Sequence, residues 1–296
     1  MMFTIITPCY NSSETLMRAY NSLLSVDYED FEWILIDDAS SDEGKTRDLI
    51  FWISKNAPFP VQFVFLEHNH FCSKSVFEAT KLARGEYACI LDHDDELTKD
   101  SLQLVSELLN AYDVTSNSTI AGVCGRCIDE NHDLIGPRFA DNTFVATEGE
   151  VRFKRRITSE LFQFTKVEIL NKYFSKMKPG YTNGFCWAKI SENFAYVYTN
   201  EIFRVYDTSV ANSYSSLYKK SIRFPDNKVI ATRGTIKSYG EFLIFNPSYS
   251  LRLCASSVAH AIAANKPVIV SGMPLFYYYS LPFSLPLAFL RSRGCI

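Results

Sequence analysis

The chain has 296 residues, 47% hydrophobic and 21% charged, with a formal net charge of −3. This length and apolar share exclude a disordered chain and fit one large α/β domain with a smaller appendage. The near-balanced charge excludes a nucleic-acid partner held by bulk electrostatics. The eight cysteines are scattered, not framed as in a small secreted scaffold, and residues 1–8 lack a basic stretch leading into a long apolar run. Both features predict reduced thiols in a cytoplasmic protein. Cys124 and Cys127 form one CxxC without a second ligand pair at zinc spacing, so they read as two strand cysteines.

In chain order, residues 3–7 read as a strand. A helix is expected from Asn11, with Glu14 completing a capping box and Leu16, Ala19, Tyr20 and Leu23 at helical spacing. Residues 33–36 are a second strand, and Ser40 with Glu43 marks a second helix start. Residues 61–66 are a third strand, 75–83 a helix stopped by Gly85, and 87–91 a fourth strand. Leu102, Val105, Leu108 and Leu109 mark the next helix, 120–127 a strand and 160–174 a helix. Strands alternating with helices predict an α/β fold, its mostly parallel sheet covered on both faces, with ligands at the carboxyl ends of the strands.

That edge collects the polar groups. Strand one ends in Thr7-Pro8-Cys9-Tyr10-Asn11, strand two in Asp37-Asp38, and strand four in Asp92-His93-Asp94-Asp95. Asp92 and Asp94, two residues apart beyond a strand, suit a hard cation, Mn²⁺ or Mg²⁺, that shares its shell with phosphate oxygens. A cation there stabilises charge growing on a diphosphate leaving group. The alternative is a solvated acidic loop capping the following helix.

The run of residues 7–11, then Leu35-Ile36-Asp37-Asp38-Ala39-Ser40-Ser41-Asp42, then Gly85-Glu86-Tyr87 leading into residues 91–97, resembles glycosyltransferase family 2, whose members have the GT-A fold. The resemblance implies that Thr7, Pro8 and Tyr10 line the base and ribose of a nucleotide and that Asp38 hydrogen-bonds the base, commonly uracil. It implies that Asp92 contacts the ribose or a metal-bound water and that Asp94 ligates the metal, with His93 between them in the nucleotide site. Where many members carry a Gly, an Arg and an Asn that shape the diphosphate pocket, this chain has Phe71, Val76 and Phe77. Lys74 is the nearby candidate for the positive charge.

Sugar transfer with inversion needs a base to take the acceptor proton. Residues 178–187 resemble the family's acid-bearing step, but Asn183 stands at the expected base position, and an amide cannot serve. Glu192, Glu201 and Asp207 are the nearest carboxylates.

Residues 268–290 carry no charge and are followed by Arg291 and Arg293. Pro274, Pro282 and Pro286 interrupt the stretch, so a regular membrane helix is not expected. Its aromatic rings suit a membrane–water interface and the arginines suit anionic head groups; packing onto protein is the alternative. The expected organisation is a catalytic domain over 1–225, with a nucleotide-sugar half (1–114) and an acceptor half (115–225), then a C-terminal extension over 226–296 in peripheral contact with the inner face of the plasma membrane. The expected partners are a nucleotide-sugar donor, probed first as a UDP-sugar, and a glycan or lipid-linked saccharide. A sugar nucleotidyltransferase and a degenerate nucleotide-binding scaffold remain alternatives.

Overall fold

The computed structural model describes residues 1–208 and 224–292. Arg293 therefore lies outside the described residues.

Four strands, β1 (Phe3–Cys9), β2 (Phe31–Asp37), β3 (Val61–Phe65) and β4 (Tyr87–Ile90), pair in parallel in the order β3-β2-β1-β4. β1 and β2 are buried along their whole length, which explains their near-continuous apolar sequence. The sheet continues through β8 (Leu161–Lys166), β6 (Ile120–Ile128), β9 (Ala195–Val205) and β5 (Glu96–Leu97), with β7 (Thr143–Ala146) on β9. β8 is antiparallel to both β4 and β6, so β6, and β9 parallel to it, run in the direction of β1. The carboxyl ends of β1, β2, β4, β6 and β9 thus share one edge.

Helices α1 (Leu16–Leu24), α2 (Lys45–Asn56) and α4 (Ser101–Ala111) bury Leu16, Leu23, Ile50 and Leu102 in a core with Phe3, Trp33 and Cys89. Helices α3 (Cys72–Thr80) and α5 (Val167–Phe174) pack together against β1, β2, β4 and β8. Cys124 and Cys127 are buried in β6.

Several expectations are corrected. Residues 160–174 are not one helix: they form β8 and then α5. Phe162 and Phe164 alternate towards the core, and pairing on both sides overrides the helical pattern. The first helix begins at Leu16, because Asn11 has φ +53° and is tied into the β2–α2 loop. The second begins at Lys45, with Asp42 accepting the Thr46 amide at 3.0 Å, so Ser40 is not the cap. The third begins three residues early, at Cys72. The prolines do not break the tail: Leu275–Ser292 is one helix with Pro282 and Pro286 inside it.

Packing divides the chain into two compact units. The first comprises Met1–Ala146, Ser159–Met177 and Phe194–Ala211; the second comprises Thr147–Thr158, Lys178–Asn193 and Asn212–Ile296. Segments 147–158 and 178–193, which lie within the 115–225 stretch expected as the acceptor half, fall in the same unit as the C-terminal helices. The second unit holds α6 (Asn183–Ile190), α7 (Pro225–Tyr239), α8 (Pro247–Ala263) and α9 (Leu275–Ser292), and its core includes Phe153, Ile236, Val258, Tyr277 and Leu281.

Candidate functional site

Three loops leave the carboxyl edge of the sheet and lock together around Asp38. The Asn11 amide donates to Ser40 Oγ at 2.9 Å, and the Ser41 amide donates to Asn11 Oδ1 at 2.7 Å. The loop after β3 closes the other side, where the His70 amide donates to Asp38 Oδ1 at 2.6 Å. Asp38 is buried, and burial pushes its pKa up to about 6 against the opposing pull of the His70 and Phe71 amides. Its neighbour Asp37 is structural: it accepts Arg47 Nε at 2.7 Å and the Ser40 amide at 3.2 Å.

The residues expected to line a nucleotide separate here. Tyr10 is exposed at this edge, its hydroxyl 3.5 Å from Ser41 Oγ. Pro8 is buried within β1. Thr7 faces the core, its hydroxyl accepting the Trp33 indole N–H at 2.8 Å, so its side chain serves the fold. Lys74 lies on α3, 3.4 Å from Glu78 and 4.5 Å above the Phe77 ring, and so is committed locally. Phe71 takes φ +60°, a conformation that favours glycine, where the family resemblance places one.

Beyond β4, the Asp95 amide turns back onto the Asp92 carbonyl at 3.1 Å. Asp92, His93 and Asp94 sit half-buried on this turn. His93 Nδ1 is 2.7 Å from Thr15 Oγ1, which ties the turn to the start of α1. Burial raises the pKa of Asp92, Asp94 adds to the rise and Arg204 opposes it. Asp95 is fully buried and points inward: Oδ2 lies 3.1 Å from the Arg204 guanidinium, and Oδ1 accepts the Asp207 amide at 3.0 Å. Arg204 also reaches Glu160 at 3.4 Å. Burial opposes its charge, but Cys127, Asp95, Glu160 and Asp92 raise its pKa above the ordinary arginine value. A cation thus sits beneath the acidic turn and allows several carboxyl groups to crowd there.

Two oxygen-bearing side chains, Asp92 and Asp94, suit Mn²⁺ or Mg²⁺ that completes its shell with phosphates and water. Among the described residues, no group of three or more His, Cys, Asp or Glu forms a fuller protein shell.

The candidate bases are dispersed. Asp207 stands just past β9 at the same edge as Asp92, its side chain buried and ion-paired with Arg18, which also bonds Glu96. Glu201 lies within β9, in a groove of about 370 Å³ with Thr98, Asp100 and Arg138. Glu192 in the second unit accepts Lys189 Nζ at 2.6 Å. Asn183 is the first residue of α6.

Sequence reasoning missed His70, Arg18 and Arg204. A visible signal existed for Arg204: a charge inside the strand run Ile202-Phe203-Arg204-Val205 must find a buried partner.

Comparison with known proteins bears on the fold and the family. The amylovoran biosynthesis glycosyltransferase AmsB of Erwinia amylovora is 31% identical over 101 residues, 34% of this chain and 33% of that protein. The poly-beta-1,6-N-acetyl-D-glucosamine synthase of Staphylococcus epidermidis is 37% identical over 98 residues, 33% of this chain and 23% of that protein. Each match thus spans less than half of the relative's length. The crystal structure of S. aureus TarS 1-349 in complex with UDP-GlcNAc superposes with a TM-score of 0.64 at 15% identity, covering 99% of this chain and 91% of that one. The mannosyltransferase PcManGT from Pyrobaculum calidifontis, in complex with GDP-Man and Mn2+, gives a TM-score of 0.55 at 16% identity, covering 99% and 82%. These two likenesses establish the GT-A fold. The sequence profile described as Glycosyl transferase family 2 matches residues 4–174, and the chain belongs to that family of glycosyltransferases.

Proposed function

We propose that the chain moves a sugar from a UDP-sugar to a hydroxyl of a glycan or lipid-linked saccharide during bacterial polysaccharide synthesis, with inversion and with Mn²⁺ or Mg²⁺. The observation that carries this reading is the shared edge: Asp38 follows β2 and the Asp92–Asp94 pair follows β4, so one ligand can meet a base-reading carboxylate and a metal-binding pair together. The relatives named for amylovoran and poly-beta-1,6-N-acetyl-D-glucosamine synthesis support the polysaccharide setting. The neighbours solved with UDP-GlcNAc and with GDP-Man and Mn2+ support a nucleotide-sugar donor and a divalent cation.

In this reading the Asp38 carboxylate, held by the His70 amide at Oδ1, accepts a base N–H. Tyr10 offers a ring at the open side, while Asp92 and Asp94 hold the cation. When bound, that cation neutralises the diphosphate charge as the sugar leaves. His93, steadied by Thr15, faces the same nucleotide. Asp207 is the candidate base that shares this edge, its carboxylate already committed to Arg18.

Replacing Asp94 with Ala is expected to abolish Mn²⁺-dependent UDP binding in calorimetry while leaving the thermal melt unchanged. Full binding by the variant would remove the metal role. Release of free sugar from UDP-sugars, assayed with and without acceptor extracts, separates an active transferase from a nucleotide-binding scaffold.

A further inference from the structure

The chain's small net charge conceals a separation. Over its described residues, 147–158, 178–193 and 224–292, the second unit carries 12 Lys and Arg against 5 Asp and Glu, a formal charge of +7. The first unit carries 14 against 28, a formal charge of −14. Charge segregated this strongly gives the second unit a field of its own.

Within that unit, α9 carries no charge from Leu275 to Leu290 and is mostly apolar on every side. One face packs inward through Tyr277, Leu281 and Ala288. The opposite face carries Leu275 (72% exposed), Tyr279 (77%), Phe283 (65%) and Phe289 (52%). At about 100° per residue these four side chains fall within roughly 120° of arc. A helix apolar on both faces, with one face uncovered, is a docking element. Lys237 lies at its amino end: a Cβ built on Gly272 would be 3.8 Å from Lys237 Nζ.

We propose that the second unit docks on an anionic lipid surface, with α9 lying in the interface and its outward rings entering the acyl boundary. Three observations favour lipid over other occupants. A soluble polyanion would satisfy the positive charge but has no use for four exposed apolar side chains. A second copy presenting the same face would bring two strongly positive units together. Finally, Pro282 and Pro286 leave the carbonyls of Tyr278 and Pro282 without intrahelical donors, on or beside the exposed arc. Those carbonyls need water or head groups, which the interface supplies and the hydrocarbon centre does not. Among the described residues, no helix is long and apolar enough to cross a membrane, so α9 lies on the surface.

The test is sedimentation of the full chain with vesicles of phosphatidylglycerol and phosphatidylethanolamine, and separately with phosphatidylcholine alone. The chain is expected to pellet with the anionic vesicles at low salt, to be released by high salt and to stay in solution with phosphatidylcholine. The double variant Tyr279→Asp, Phe283→Asp is expected to lower the bound fraction about tenfold or more. Lys237→Gln is expected to weaken partitioning about fivefold, the effect of one basic group near such a surface. Both changes are at exposed sites, and unchanged melting and UDP calorimetry would show that fold and donor site are intact. Equal pelleting of the double variant, or equal pelleting with phosphatidylcholine, would overturn the proposal. So would concentration-dependent self-association that the double variant loses, since that identifies a second copy as the occupant. Vesicle binding without UDP binding would defeat the proposed transferase and leave this inference standing; the reverse would defeat this inference alone.

Discussion

At the residue scale, Asp38 shows a site built against stability. Its folded pKa of about 6 lies above the ordinary 3.8, so the charged carboxylate costs stability at neutral pH. That cost fades as pH falls through 6 towards 4, because the folded state then holds the extra proton. A shift of about two units corresponds to about 3 kcal/mol. Asn at this position keeps an oxygen for the His70 amide but turns a donor towards the base, where a base N–H would meet another N–H. Asp38→Asn is therefore expected to raise the melting temperature of the unliganded protein at pH 7.5 and to weaken UDP binding by about 1.5–3 kcal/mol. In the native chain, UDP affinity should decline as pH drops below about 6, because protonation removes the acceptor. Calorimetry across pH 5–8 checks both signs; a variant that melts earlier and still binds UDP would contradict the assignment. The acidic residues of this edge were legible in the sequence because their spacing and their place after strands both showed. Thr7 lies in the same motif, yet strand alternation turns its side chain towards Trp33, which the motif alone did not show.

At the element scale, the strands of the first hundred residues were legible because β1, β2 and β4 are short apolar runs bounded by turns. β8 was not. Its sequence LFQFTK suits a strand or a buried helical turn, and only partners distant in sequence decide: Tyr87 and Ala88 on one side, Gly122 to Arg126 on the other. The closeness of those partners gives a prediction. A Cβ on Gly122 would sit 1.9 Å from the Phe164 carbonyl oxygen, and backbone cannot yield as a flexible side chain can. Gly122→Ala should therefore destabilise the first unit by about 2–4 kcal/mol or prevent its folding, as overpacking against rigid neighbours does. Chemical denaturation measures this, and a loss below about 0.5 kcal/mol would mean that β6 and β8 separate easily. The tail teaches a related lesson. Two prolines forbid particular hydrogen bonds but do not forbid a helix that packs through Tyr277, Leu281 and Ala288.

For the whole molecule, a net charge of −3 and a sequence pI near 6.0 predict weak binding to a cation exchanger at pH 7.5. The division of the described residues into units of −14 and +7 predicts the opposite: retention at low salt on both cation and anion exchangers, with release as screening shortens the reach of each unit. Passage straight through the cation exchanger would show that the positive charge is masked. The sequence by itself determined the α/β class, the family and the acidic edge, because local hydrophobic period and short motifs are properties of neighbouring residues. Tertiary structure alone decided which of those residues serve the fold. It placed Arg204 beneath Asp95, joined Asp207 to Arg18, inserted β8 into the sheet and gathered three separated basic segments into one unit. Each of these depends on contacts between residues far apart in the chain, whose pairing no local pattern encodes.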